Sequence, residues 1–162
     1  MNRFTGNHQE FWAHLTAPVS HAVGPSPRRP LRMWGHLATI LLVDNDPLQA
    51  LARRSVLERH FDDVQRVGDA AEALCLVEQP EFAENLALVV SGLEMPGIGG
   101  PEFVAELHSR LPNLPILVLG NATDAAEDYT GGWIRFLARP FPVDEMLNVA
   151  DQMVLHKVPS AA

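Results

Sequence analysis

The chain has 162 residues, 47% of them hydrophobic, with 12 basic and 20 acidic side chains for a net charge of −8, enough for one domain of about 120 residues plus an appendage. The charge is split: residues 1–38 carry Arg3, Arg28, Arg29 and Arg32 against Glu10, a net of +3, and the remainder carries eight basic and 19 acidic groups, a net of −11. An acidic body repels phosphate backbones, which argues against nucleic-acid binding by the folded part. No run reaches the roughly 20 apolar residues of a membrane span and no leader pattern opens the chain, so a soluble cytoplasmic protein is expected.

Residues 1–38 contain Pro18, Pro25, Pro27 and Pro30 and scattered His8, His14, His21 and His36. They keep no period of 2 or 3.6, so an irregular or disordered extension is expected there. From Thr39 short apolar runs alternate with longer amphipathic segments. Thr39–Val43, Leu86–Ser91, Pro115–Leu119 and Ile134–Ala138 are nearly all apolar, as parallel strands covered on both faces are; Val64–Val67 is a weaker strand.

Between the strands the punctuation is helical. Asp46-Pro47 supplies an N-cap and a first-turn proline for a helix near 47–60, with Leu48, Leu51, Ala52 and Val56 expected to face inward. Asp69 with Glu72 is spaced like a capping box for a helix near 70–79 that Pro80 stops. The single cysteine, Cys75, lies in that segment between Leu74 and Leu76 and reads as a small buried hydrophobe. Gly100-Pro101 opens a helix carrying Phe103, Val104, Leu107 and Leu111. A shortened helix is expected after Gly120, ending at Gly131-Gly132, followed by a last helix near 143–156 that buries Met146, Leu147, Ala150, Met153 and Val154. The expected organisation is an extension over 1–38, a domain over 39–157 and a tail over 158–162.

Five strands alternating with five helices imply a doubly wound α/β sheet, because parallel neighbours need helical crossovers. In such sheets ligands bind beyond the carboxyl ends of the strands, where strand order reverses. That rule gathers Asp44, Asn45 and Asp46 after the first strand, Ser91 and Gly92 after the third, Gly120 and Asn121 after the fourth, and Arg139 after the fifth.

Four blocks then carry a resemblance: Ile40-Leu-Leu-Val-Asp-Asn-Asp-Pro47, Val89-Val-Ser-Gly-Leu-Glu-Met-Pro-Gly97, Pro115-Ile-Leu-Val-Leu-Gly-Asn121 and Phe136-Leu-Ala-Arg-Pro-Phe141. In order and spacing they resemble the signature blocks of response-regulator receiver domains, over about residues 38–156. The resemblance implies a CheY-like fold with strand order 2-1-3-4-5. The chemistry it implies is phosphoryl transfer from a kinase phosphohistidine to an aspartate, with Mg²⁺ held by that aspartate and an acidic pair, and with a lysine and a hydroxyl on the phosphoryl oxygens.

Carried over residue by residue, the acidic pair is Asp44 and Asn45, with Asp46 at a third position. The acceptor position is Gly92, the hydroxyl position Gly120 and the lysine position Arg139. Phe136 falls at the aromatic switch position, and Pro140 at a proline that follows a cis peptide. Neither glycine offers a nucleophile or a hydroxyl, and one clear carboxylate makes a poor Mg²⁺ site. Arg139 is expected to fill the space at Gly92 and pair with Asp44. Glu94 reads as a solvated loop residue, Ser91 as packed, and Trp133 or Tyr129 as candidates for exposure beside the shortened helix.

The expectation is therefore a stand-alone pseudo-receiver of two-component or phosphorelay signalling. It is not expected to be an enzyme or to use a cofactor, and it acts through contact with a histidine kinase, another regulator or a second copy of itself. The alternatives are a phosphoryl acceptor displaced to Asp46 or Glu94, and a small-ligand site in the vacated pocket.

Overall fold

The computed structural model describes residues 32–33, 36–121, 129 and 132–157. Most of the expected extension, the tail 158–162 and nearly all of the segment expected to form the shortened fourth helix lie outside the described residues.

Two short strands, β1 (Arg32–Met33) and β2 (His36–Leu37), pair antiparallel with Arg32 opposite Leu37. The main sheet follows: β3 (Thr39–Val43), β4 (Asp63–Val67), β5 (Leu86–Gly92), β6 (Ile116–Gly120) and β7 (Ile134–Ala138). All its pairings are parallel and its order is β4-β3-β5-β6-β7. Numbered within the sheet, that is 2-1-3-4-5, the CheY-like arrangement, and the order reverses between β3 and β5. Helices α1 (Pro47–Leu57), α2 (Ala70–Val77), α3 (Pro80–Asn85), α4 (Gly100–Arg110) and α5 (Val143–Lys157) make up the helical layers among the described residues.

The inner strands β3, β5 and β6 are almost wholly apolar because both their faces are covered, whereas the edge strands β4 and β7 carry exposed Gln65, Arg66 and Arg135. Alternate side chains point to opposite faces, so Ile40, Leu42, Leu88, Val90, Leu117 and Leu119 join one cluster with Leu57 of α1 and Met146, Leu147, Ala150, Met153 and Val154 of α5. Leu41, Val43, Val89, Ile116 and Val118 join the other, with Ala73, Leu74 and Val77 of α2 and Phe103, Val104 and Leu107 of α4. The expected inner face of α5 is therefore the observed one. A bridge from His60 Nδ1 to Asp151 Oδ2 at 2.6 Å ties the end of α1 to α5.

Three expectations give way here. Of the four residues expected on the inward face of α1 only Val56 packs against the core: Leu48 is 79% and Leu51 64% exposed, Ala52 is also exposed, and Ala50 and Leu57 are buried instead. Apolar residues surround this helix, and the stripe that docks is the one carrying Ala50, Arg53 and Leu57, spaced i, i+3, i+7. Cys75 is exposed, because α2 turns Ala70, Ala73, Leu74 and Val77 inward. Pro80 does more than stop a helix. It occupies the first turn of α3, where its missing N–H costs nothing.

Candidate functional site

Of the residues that topology gathers, Asp44, Asn45, Asp46, Gly92, Asn121 and Arg139 meet at the carboxyl end of the sheet, while Ser91 and Gly120 are buried and do not line the cavity. Asp44, Asn45, Asp46, Gln49, Arg53, Gly92, Leu93, Glu94, Asn121 and Arg139 line a polar cavity of about 310 Å³. Asp44 follows β3 directly and is 3% exposed. Its backbone N–H donates to the Val67 carbonyl at 3.1 Å, and its own carbonyl accepts from Arg66 Nη2 at 3.2 Å. The peptide is thus anchored to the neighbouring strand and the side chain is held in the sheet mouth.

Both oxygens of that carboxylate are engaged. Oδ1 accepts from the Asp46 backbone N–H at 3.0 Å, and Oδ2 accepts from Arg53 Nη1 in a salt bridge whose side chains are only 11% and 4% exposed. The Arg53 guanidinium is fixed further by Nη2 donating to Gln49 Oε1 at 2.8 Å. Arg139 was expected to make the pair with Asp44. Its Nη1 instead donates to the same Gln49 Oε1 at 2.8 Å, so two guanidinium groups converge on one amide oxygen. The Arg139 Nε is buried with no hydrogen-bond partner among the described residues.

Asp46 is the N-cap of α1. Its Oδ1 accepts from the Leu48 and Gln49 backbone N–H groups at 2.9 and 3.1 Å, and its Oδ2 accepts from Gln49 Nε2 at 3.1 Å. The hydrogen bond from the Gln49 N–H is the main reason its carboxyl lies below the usual aspartate range, and it outweighs the opposing effect of desolvation. Asn45 and Glu94 are exposed. Ser91 is 1% exposed and donates to the Gly92 carbonyl at 2.9 Å, packed as expected. Among the described residues no group of three or more His, Cys, Asp or Glu side chains is placed to hold a metal ion.

The two glycines differ. A Cβ on Gly92 would meet only the Val43 carbonyl oxygen, at 3.9 Å, so there is room for a side chain. A Cβ on Gly120 would lie 2.8 Å from Leu93 Cδ2 and 2.8 Å from Phe136 Cε2. Phe136 in turn stacks on Tyr129, with ring centroids 5.7 Å apart and planes 12° from parallel. The space beside Gly120 is filled by apolar side chains. Tyr129 is therefore buried, at 3% exposure, and Trp133 is half-buried. The Arg139–Pro140 peptide is cis.

With this geometry in view, the comparisons with known proteins decide the family. The response regulator receiver domain family matches residues 40–151. The chain belongs to that family. Relatives include the C4-dicarboxylate transport transcriptional regulatory protein DctD of Pseudomonas aeruginosa, 31% identical over 112 residues that make up 67% of this chain and 23% of that protein. The two-component response regulator PhoP of the same organism is 35% identical over 112 residues, 65% of this chain and 47% of that one. This receiver thus spans about a quarter to a half of the length of the curated relatives it matches.

Among solved structures, a response regulator receiver domain protein from Clostridium thermocellum superposes with a TM-score of 0.67 at 18% identity, covering 75% of this chain and 97% of that one. The signal receiver domain of an HD domain-containing protein from Pseudomonas fluorescens Pf-5 gives 0.64 at 26% identity, covering 74% and 96%. The receiver fold is therefore shared, and the chain is a response-regulator receiver domain of two-component signalling. Among the described residues no helix is long and apolar enough to cross a membrane.

Sequence reasoning missed Arg53 and Gln49. The signal was present: they are four residues apart on the face of α1 that begins at the Asp46 cap, and Arg53 lies between Ala50 and Leu57 on the buried stripe. A cation there needs an anion within reach.

Proposed function

We propose that this receiver takes no phosphoryl group at the usual strand-end position and acts through protein–protein contact in one fixed conformation, as a pseudo-receiver rather than an enzyme. The observation that carries the reading is Gly92 itself: β5 delivers a residue without a side chain to the position that the family resemblance assigns to the acceptor. The filled volume at Gly120 supports it, since a switch driven by a hydroxyl has neither the hydroxyl nor the space for one. The partner is a histidine kinase, another regulator or a second copy of this chain.

A displaced acceptor finds little support. The Asp46 carboxylate is committed to capping α1, and Glu94 is exposed beyond the strand end. The test is incubation with acetyl phosphate and Mg²⁺, with a phosphorylatable receiver as positive control, read by intact mass. The expected mass is that of the unmodified chain. An acid-labile adduct overturns the proposal, and its loss in Asp46→Asn or Glu94→Gln identifies the displaced acceptor.

One observation favours a second reading, a small-anion site in the same cavity. The buried Arg139 Nε has no partner among the described residues, and Arg139 and Gly92 line the same cavity; a guanidinium there suits a carboxylate or phosphate oxygen. Thermal stabilisation by inorganic phosphate or a small carboxylate, abolished in Arg139→Ala, supports this reading; no stabilisation by either removes it.

A further inference from the structure

We propose that Arg53 is a built-in replacement for the divalent cation, so that the strand-end pocket is neutralised by the chain itself and takes no Mg²⁺ in its native sequence. This deepens the proposed function and rests on it in one respect: both take the pocket as fixed rather than switchable.

The resemblance implies a metal held by an acceptor aspartate and an acidic pair, but in this chain Gly92 and Asn45 carry no charge and only Asp44 remains buried at the strand end. A single carboxylate is balanced by a single positive charge. Arg53 supplies one on Oδ2, while the Asp46 N–H takes Oδ1, so the carboxylate has few directions left for a metal. Mg²⁺ asks for about six oxygens at roughly 2.0–2.1 Å in octahedral order and gives up its water reluctantly. The donor set does not fit it.

The surroundings oppose a cation as well. Half-buried Gln49 offers Oε1 at this end, and that oxygen is already shared by Arg53 Nη2 and Arg139 Nη1. A divalent ion entering beside Asp44 would face two guanidinium groups, those of Arg53 and Arg139. The Asp46 oxygens are turned to the first turn of α1 and to Gln49 Nε2. Arg53 itself is positioned by helix register: Ala50 and Leu57 anchor the same stripe in the core, and the guanidinium between them reaches the sheet mouth with little further ordering.

The consequence is specific. Restoring a carboxylate alone should not restore metal binding, because the position beside Asp44 is taken; restoring the carboxylate and removing Arg53 should. The experiment titrates Mn²⁺ and Mg²⁺ at constant ionic strength into the full chain, Gly92→Asp, and the Arg53→Gln/Gly92→Asp double variant. It is read by thermal unfolding and by the loss of the free Mn²⁺ electron-resonance signal.

The native chain and Gly92→Asp should show no saturable change, and the double variant a saturable rise in Tm with uptake of Mn²⁺. Saturable binding to the native chain, equal binding by Gly92→Asp and the double variant, or none by a folded double variant overturns the assignment. Should the double variant not fold, the native chain decides alone. Mn²⁺ should leave the Gly92 amide and Arg53 guanidinium resonances unbroadened, and saturable broadening centred on them overturns the proposal. No arm uses a phosphoryl donor, so a chain that binds metal yet gains no phosphoryl mass sinks the role of Arg53 and leaves the proposed function standing.

Discussion

At the scale of single residues, the buried Asp44–Arg53 pair is the most consequential contact in the pocket. Taking charges out of water is costly, and removal of one partner leaves the other uncompensated. Arg53→Gln and Asp44→Asn should each lower stability by about 3 kcal/mol in urea unfolding. The double variant should lose much less than the sum, which a double-mutant cycle measures. Gly120 makes a second residue-scale prediction: Gly120→Ala must push aside Leu93 Cδ2 and the Phe136 ring, an overpacking cost of about 1–3 kcal/mol. It should also loosen the Phe136–Tyr129 stack, visible in near-ultraviolet circular dichroism.

The chain's glycines and its Asp-Asn-Asp run were legible, and they located the pocket. The identity of the arginine on Asp44 was not, because Arg139 and Arg53 compete for one carboxylate and their relative reach depends on how α1 rotates on the sheet. Cys75 failed for a related reason: one residue of rotation about α2 separates a core position from an exposed one.

At the scale of elements, α1 separates what patterning supplies from what docking decides. Apolar residues at 48, 50, 51, 52, 56 and 57 allow more than one inward stripe, and the stripe chosen leaves Leu48 and Leu51 in solvent. Replacing both with Gln should change stability by no more than about 0.5 kcal/mol, whereas Leu57→Ala should cost about 2–5 kcal/mol; thermal or urea unfolding distinguishes them. The sequence reading placed Leu48 and Leu51 inward and did not single out Leu57. In helix α5 the buried stripe is the one read from the sequence, Met146, Leu147, Ala150, Met153 and Val154, while Val143 and Leu155 are exposed.

The end of α5 carries a pH prediction. Lys157, the only lysine of the chain, is pushed down to about 8 from 10.5 by burial and donates to the Leu86 carbonyl. Below about pH 8 it is charged in both folded and unfolded chains, and burial of that charge weighs on the folded state. Between about 8 and 10.5 the unfolded chain binds more protons, so stability rises with pH. Urea unfolding across that window should show the rise. Lys157→Met should flatten it, and an identical slope in the variant would contradict this account.

For the whole molecule, alternating apolar runs and capped helices specified a parallel, doubly wound sheet, and the topological rule placed the site at its carboxyl edge before any family entered. This worked because continuous apolar runs are what strands covered on both faces require, and local propensity agreed with the global fold in β3, β5, β6 and β7. The weaker strand, β4, was also found, although it lies at an edge and exposes Gln65 and Arg66. What sequence could not deliver was charge geometry inside the pocket, which depends on side chains meeting from α1, β3 and the loop after β7.

The proposed function treats that pocket as a unit: Gly92 at the strand end, Gly120 walled in and Asp44 bound by Arg53 together support a domain that does not switch by phosphoryl transfer. The most direct measurement is titration of the isotope-labelled chain with beryllofluoride and Mg²⁺, followed by two-dimensional NMR. The account predicts that the amides of Asp44, Gly92, Leu93, Gly120 and Asn121 stay where they are at saturating reagent, while a phosphorylatable receiver under the same conditions shifts. Saturable shifts converging on those five amides would contradict it.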